Sequence, residues 1–436
     1  MQIPTYIINL KFRTDRRAHI LNEFSEHGEF IINLIEPLEH SIGAISLWST
    51  IQHIISIAEI KGLEFVLICE DDHQFTESYS TDALIEGLNQ AKKKNADILL
   101  GGVSWFQDAL QISEQMFWVR RFTGMQFAVV FKKFYQTVLN APFEINDAAD
   151  FKISSLTTNK FFIHPFVSVQ REFGYSDATE VNNVVGRVDK LFAKSLASVD
   201  TLKRVGAFYK DRLIEAATIN YDNVFIPTYI INLPHRADRV GHIKKQFEGR
   251  TEFEITIIEA CHHKIGALGL WWSILKIIKI ATLNEDDVIL ICADDHEFTE
   301  YYSKELFLKN VMEAHSQGVD YLLGGITSYH LTVPITQNRW WIDSGNGAQF
   351  IVIYRRFFKK ILDEEYDDNV QTDISLSKIT DNKMVFNPFI SIKKNFGYSD
   401  IHPKHITPNN FQQNDFSRAA CHIESIKNAH TKYKLA

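Results

Sequence analysis

Four cysteines in 436 residues are too few for a disulfide framework. Cys69 and Cys292 each close an apolar, strand-like run and read as small buried residues, and no CxxC or CxxH spacing marks a structural zinc site. Positive charge is also short: 46 Lys and Arg stand against 54 Asp and Glu, a net charge of −8, which argues against tight non-specific binding to nucleic acid. Neither GxxxxGK followed by Ser or Thr nor GxGxxG occurs, so a glycine-rich phosphate loop is missing. No charged-then-apolar leader precedes the first strand pattern, and a cytoplasmic location is expected. The most apolar run, 265–282, carries Lys276 and Lys279, and its counterpart 42–59 carries Gln52 and His53. A core helix is expected there rather than a membrane span.

What the chain does have is an internal duplication. Residues 3–177 recur as 226–400 at a constant offset of 223, the difference between 226 and 3. Ile3-Pro4-Thr5-Tyr6-Ile7-Ile8-Asn9-Leu10 returns as Ile226-Pro227-Thr228-Tyr229-Ile230-Ile231-Asn232-Leu233, and Phe173-Gly174-Tyr175-Ser176-Asp177 returns as Phe396-Gly397-Tyr398-Ser399-Asp400. Solenoid repeats run roughly 20–50 residues and need neighbours, so a repeat this long is a duplicated domain with its own core. Domains are expected over 1–210 and 226–436, joined by a linker at 211–225, each closing with a helical segment such as 188–217. The two copies act as an internal comparison. Apolar positions that swap residue report packing, and polar residues kept in an apolar setting report a chemical demand.

Within each copy strands and helices alternate. Runs at 4–10, 30–35, 65–69, 98–100 and 127–131 have strand character, and helices are expected to open at 13–17, near 42 and over 81–94. This pattern predicts two tandem α/β domains, each a mainly parallel central sheet flanked by helices. Ligands of such sheets bind beyond the carboxyl ends of the strands, and the acidic groups Asp71-Asp72-His73 and Asp294-Asp295-His296 fall there. Adjacent carboxylates repel unless a cation sits among them, and Mg²⁺ or Mn²⁺ is commonly held by one or two carboxylates plus substrate phosphates. A helix-capping role is the structural alternative for such a pair.

Asn9-Leu10, Arg13 and Asp15-Arg16, followed by Leu67-Ile68-Cys69-Glu70-Asp71-Asp72, resemble the bacterial lipopolysaccharide and procollagen galactosyltransferases of glycosyltransferase family 25. The resemblance covers most of each copy. It implies a GT-A-type fold, a UDP-sugar donor, a hydroxyl acceptor on a glycan, lipopolysaccharide or other polymer, and inversion at the anomeric carbon. It places the metal on Glu70, Asp71 and Asp72, and the nucleotide-facing loop on Asn9, Arg13 and Arg16. In the second copy the same roles fall on Asp294 and Asp295, and on Asn232, Arg236 and Arg239. Two departures stand out. The family's Ser-His pair before the metal motif is replaced by Trp48-Ser49-Thr50 and Trp271-Trp272-Ser273, and Ala293 replaces the leading Glu of copy two.

A transfer of this kind needs a general base within hydrogen-bond reach of the acceptor hydroxyl. Asp150 and Asp373 match across the copies and are the candidates, with a plain helix N-cap as the alternative. Gln126 and Gln349 could touch sugar hydroxyls or act as strand-end amides. His73 and His296 could bind metal or hydrogen-bond the preceding carboxylates. The repeated Gly-Tyr-Ser-Asp reads as a turn that could cover a diphosphate. The competing function classes are a catalytically dead sugar-binding module and another metal-dependent, nucleotide-using transferase.

Overall fold

The structure is a computed structural model and describes residues 1–175, 184–212, 221, 223–367, 370–397 and 411–433. Contacts divide the chain into two units. Unit one is Met1–Lys203 with Ser425–Ala436, and unit two is Arg204–Glu424.

Unit one contains β1 (Ile3–Ile8), α1 (Thr14–Glu23), β2 (Phe30–Ile35), α2 (Gly43–Ile60), β3 (Phe65–Glu70), β4 (His73–Phe75), α3 (Thr81–Lys93), β5 (Ile98–Leu100), β6 (Trp105–Ser113), β7 (Met116–Thr123), β8 (Phe127–Phe131), α4 (Tyr135–Leu139), α5 (Ala149–Leu156), β9 (Lys160–Ile163), β10 (Ser168–Gln170) and most of α6 (Arg187–Lys210). Its eight-stranded sheet has the order β2-β1-β3-β8-β5-β9-β7-β6. The pairings β1 with β2 and β3, and β5 with β9, are parallel; β8 runs against β3 and β5, and β7 runs against β9 and β6. Only β7 and β8 therefore oppose the other six strands, and the expected α/β architecture with a largely parallel sheet is present.

Unit two repeats this order with β11 (Ile226–Asn232), α7 (Ala237–Phe247), β12 (Phe253–Glu259), α8 (Gly266–Leu283), β13 (Val288–Ala293), β14 (His296–Phe298), α9 (Lys304–Ser316), β15 (Tyr321–Leu323), β16 (Thr332–Pro334), β17 (Arg339–Ile342), β18 (Phe350–Tyr354), α10 (Arg355–Leu362), α11 (Thr372–Ile379), β19 (Lys383–Phe386), β20 (Ser391–Lys393) and most of α12 (Phe411–Tyr433). The end of α12 belongs to unit one. Tyr433 stacks edge-on against Phe161 at 5.0 Å, and its hydroxyl meets Asn159 Oδ1 at 2.6 Å.

The elements form for local reasons that the burial pattern confirms. Strand β8 is buried at all five positions, as its unbroken apolar run requires of a central strand. Ser80 and Ser303 cap α3 and α9, their hydroxyls accepting from the amides of Ala83 and Leu306. One helix among the described residues, α8, is long and apolar enough to cross a membrane by length and composition. Trp271, Ile274, Ile277, Ile278 and Ala281 line its buried face in unit two.

The glycine pair after β5 serves close approach. A Cβ on Gly102 would lie 2.2 Å from the carbonyl oxygen of Ser168, and one on Gly101 would lie 2.8 Å from the Ser168 side chain. This lets β10 dock on the end of β5 and pair antiparallel with β4, directly behind the acidic group. Gly324 and Gly325 repeat the arrangement against Ser391.

Candidate functional site

Parallel pairing creates the site. Ile8 of β1 stands opposite Glu70 of β3, so Asn9 and Asp71 leave the sheet side by side. Asn9 Nδ2 donates to Asp71 Oδ2 at 2.9 Å. Because α1 begins at Thr14, Arg13 at its N-cap position and Arg16 in its first turn reach the same carboxylates. Arg16 Nη1 lies 3.1 Å from Asp71 Oδ1 and 3.4 Å from Asp72 Oδ2, and Arg13 Nη1 lies 3.8 Å from Asp71 Oδ2. Unit two rebuilds this. Asn232 donates to Asp294 at 3.0 Å, Arg239 lies 3.0 Å from Asp294 and 3.8 Å from Asp295, and Arg236 lies 3.5 Å from Asp294.

The carboxylates differ in what holds them. Asp71 is buried and surrounded by Asn9, Arg13 and Arg16, so its charge is already compensated. Asp72 is pushed up to about 6, chiefly by burial and against the pull of Arg16, with Asp71 adding repulsion. Glu70 is pushed well above the usual carboxylate range by burial and then by Asp72, Asp71 and Asp150. Asp72 Oδ1 and its repeat partner Asp295 Oδ1 are buried and make no hydrogen bond. Burial also raises Asp294, which Arg239 opposes.

Asp150 sits across from this pair, close enough for its charge to raise Glu70. The cap reading of Asp150 and Asp373 is corrected: Ala148 and Gln371 occupy the N-cap positions of α5 and α11, and neither makes a side-chain cap bond. Instead the carboxylates hold loops. Asp150 Oδ2 accepts from the Gly124 amide at 3.3 Å, and Asp373 Oδ2 accepts from Gly347 at 2.9 Å and Ala348 at 3.3 Å. Burial raises Asp150, against the opposing amides of Phe151 and Gly124.

The histidines depart from both sequence alternatives, and the glutamines take the strand-end one. His73 touches no carboxylate in the way foreseen: its Nδ1 meets Ser168 Oγ at 2.7 Å, and burial among Phe24, Phe75 and Phe127 pushes it down to about 3, so it is neutral. His296 makes the same contact with Ser391. Gln126 and Gln349 are fully buried, and their Nε2 atoms donate to the carbonyls of Gly102 and Gly325, as strand-end amides do. Their Oε1 atoms make no hydrogen bond.

Sequence reasoning missed the aromatic cover of the arginines. Phe173 lies 4.8 Å and Tyr175 4.5 Å from the Arg16 guanidinium, and the Tyr175 carbonyl accepts from Arg16 at 2.5 Å. Phe396 lies 4.8 Å from Arg239. The recurrence of Phe-Gly-Tyr held this signal. Arg16 is therefore buried and organises the acidic pair. Ser176, Asp177, Tyr398, Ser399 and Asp400 lie outside the described residues.

No family model and no curated protein matches the chain. Weak likenesses to solved structures exist. A197 from STIV aligns at TM-score 0.30 and 10% identity over 39% of this chain and 86% of that one. An apo UDP-glucose pyrophosphorylase aligns at TM-score 0.26 and 9% identity over 48% and 82%, and one complexed with UDP-glucose at 0.27 and 6% over 44% and 81%. Likenesses this weak carry no argument about chemistry.

The donor set bears on the metal expectation. Among the described residues no group of three or more Asp, Glu, His or Cys side chains is arranged to hold an ion. Asp71 and Asp294 are taken up by arginines. What remains in unit one is Glu70 with Asp72, including one unpartnered buried oxygen, which fits Mg²⁺ or Mn²⁺ only if substrate phosphates complete the shell. Unit two offers Asp295 beside Ala293, one carboxylate fewer.

Proposed function

We propose that the chain is a metal-dependent glycosyltransferase that moves a sugar from a UDP-sugar to a glycan hydroxyl, with unit one as the stronger site. The observation that carries this reading is the half-buried Glu70–Asp72 pair, raised in pKa and with Asp72 Oδ1 buried and unpartnered, at the carboxyl end of a parallel strand. A desolvated carboxylate that Arg16 compensates only in part costs stability, and a cation brought in with a diphosphate would offset that cost. The resemblance of the Asn-Leu, Arg and Glu-Asp-Asp motifs to family 25 supports the same reading.

Glu70 and Asp72 would hold the divalent ion, which supplies charge neutralisation for the leaving diphosphate. Asn9 and Arg16 fix Asp71, and Arg16 keeps Asp72 oriented. Asp150, held by the Gly124 and Phe151 amides, takes the proton of the acceptor hydroxyl. That oxygen bonds to the anomeric carbon from the face opposite the nucleotide, and UDP departs with the electron pair of the broken C–O bond.

Thermal unfolding with UDP, UDP-glucose and UDP-galactose tests the site. At ligand concentrations about 100 times the dissociation constant, stabilisation of about 2.7 kcal/mol is expected with Mn²⁺ and none in EDTA. Equal stabilisation in EDTA would remove the metal. UTP formed on adding pyrophosphate, rather than UDP released on adding a glycan, would assign nucleotidyl transfer instead, and nucleotide binding without turnover would mark a degenerate binding module.

A further inference from the structure

Beside Asp150 lies exposed aromatic surface that neither the carboxylates nor the core uses. Trp105 opens β6 and pairs with Thr123, the residue before Gly124, whose amide holds Asp150. Phe151 follows Asp150 in α5. The two rings meet edge to face with centroids 6.1 Å apart, and the Arg121 guanidinium lies 5.3 Å from the Phe151 ring. Trp105 is 37% and Phe151 39% exposed, although burying either ring would be favourable.

Unit two keeps the carboxylate and drops this surface. The equivalent positions hold Ser328, Ile374 and Ser344, while Gly347 and Ala348 still hold Asp373. The fold therefore does not need the rings, and packing does not explain them. Two part-exposed rings meeting edge to face, with a guanidinium over one of them and a carboxylate nearby, match a pyranose. Its C–H face is apolar and slightly positive, complementary to the negative face of an aromatic ring, and its hydroxyls suit charged partners at the rim.

We propose that Trp105, Phe151 and Arg121 form an acceptor subsite of unit one that stacks a terminal pyranose of a glycan with one hydroxyl toward Asp150. Its orientation rests on the glycosyl-transfer reading. Unit two, lacking the rings, takes an acceptor that does not stack, so the two units differ in acceptor.

Saturation-transfer NMR on the full chain tests this with methyl β-D-galactopyranoside, methyl β-D-glucopyranoside and methyl α-D-mannopyranoside, without nucleotide. At least one glycoside should receive saturation on its ring C–H protons. Trp105→Ser and Phe151→Ile install the side chains that unit two already accommodates, and each should weaken binding by up to about tenfold, the worth of one aromatic stack. Undiminished binding in both variants, or no saturation in the native protein, would overturn the subsite. The two readings can fail separately. Glycoside binding lost in Trp105→Ser while no UDP-sugar binds would sustain the subsite and sink the transferase, whereas metal-dependent UDP binding with glycosides indifferent to Trp105 would sink the subsite alone.

Discussion

Replacing Asp72 with Asn should make the metal-free protein more stable while abolishing nucleotide binding. The carboxyl is raised from 3.8 to about 6 by burial, which Arg16 only partly offsets. A rise of that size means that ionising Asp72 in the folded state costs roughly 3 kcal/mol relative to the unfolded chain. The sign follows from proton binding. Well below the unfolded value of 3.8 the group is protonated in both states and costs nothing; as pH rises from there toward 6 the unfolded chain releases the proton first, and native stability falls. Above about pH 7 the full cost is present. An amide keeps an acceptor oxygen for Arg16 and carries no charge. Urea unfolding in EDTA, followed by tryptophan fluorescence, should show Asp72→Asn more stable by up to about 3 kcal/mol at pH 7.5 and by about half as much at pH 5. With Mn²⁺ and UDP the native protein should gain stability and the variant should not. A variant equally or less stable at pH 7.5, or a difference that does not shrink toward pH 5, would refute a carboxylate whose burial Arg16 compensates only in part.

If Asp150 takes the acceptor proton, Asp150→Asn should lower turnover by roughly 10²–10⁴-fold with UDP-sugar affinity unchanged, and Asp373→Asn should do the same to any reaction of unit two. Unchanged turnover in steady-state assays would leave these residues as loop anchors for Gly124 and Gly347. Gly102→Ala or Gly325→Ala would press a Cβ to 2.2 Å from a backbone oxygen and should destabilise the affected unit by about 1–3 kcal/mol, read as a lowered melting temperature. An unshifted melting temperature would show that the β10 or β20 strap can move away.

Much of the site was legible because the chain carries its own comparison. Asn9 and Asp71 are polar residues kept in apolar surroundings in both copies, and they proved to be hydrogen-bonded neighbours. The alternation of apolar runs with amphipathic segments likewise located β1, β2, β3, β5 and β8. The β6–β7 hairpin escaped notice. Its period of two is broken by a register shift between Gln111 and Ser113, and Asp108 adopts a left-handed φ of 56°.

Local pattern thus determined the two similar units, their α/β class and the strand ends where the repeated polar residues gather, because periodicity and turn chemistry act over a few residues. Tertiary structure alone decided the partners. His73 turned to Ser168, 95 residues away, and not to the carboxylates beside it. Arg16 and Asn9 took Asp71 out of contention as an open ligand and left Asp72 with an unpartnered oxygen, although the two aspartates are adjacent in sequence. Asp150 became a loop anchor opposite Glu70 because sheet pairing brings β7 and the start of α5 to that edge. Burial and charge compensation depend on which strands meet, and strand order is set by the packing of the whole unit.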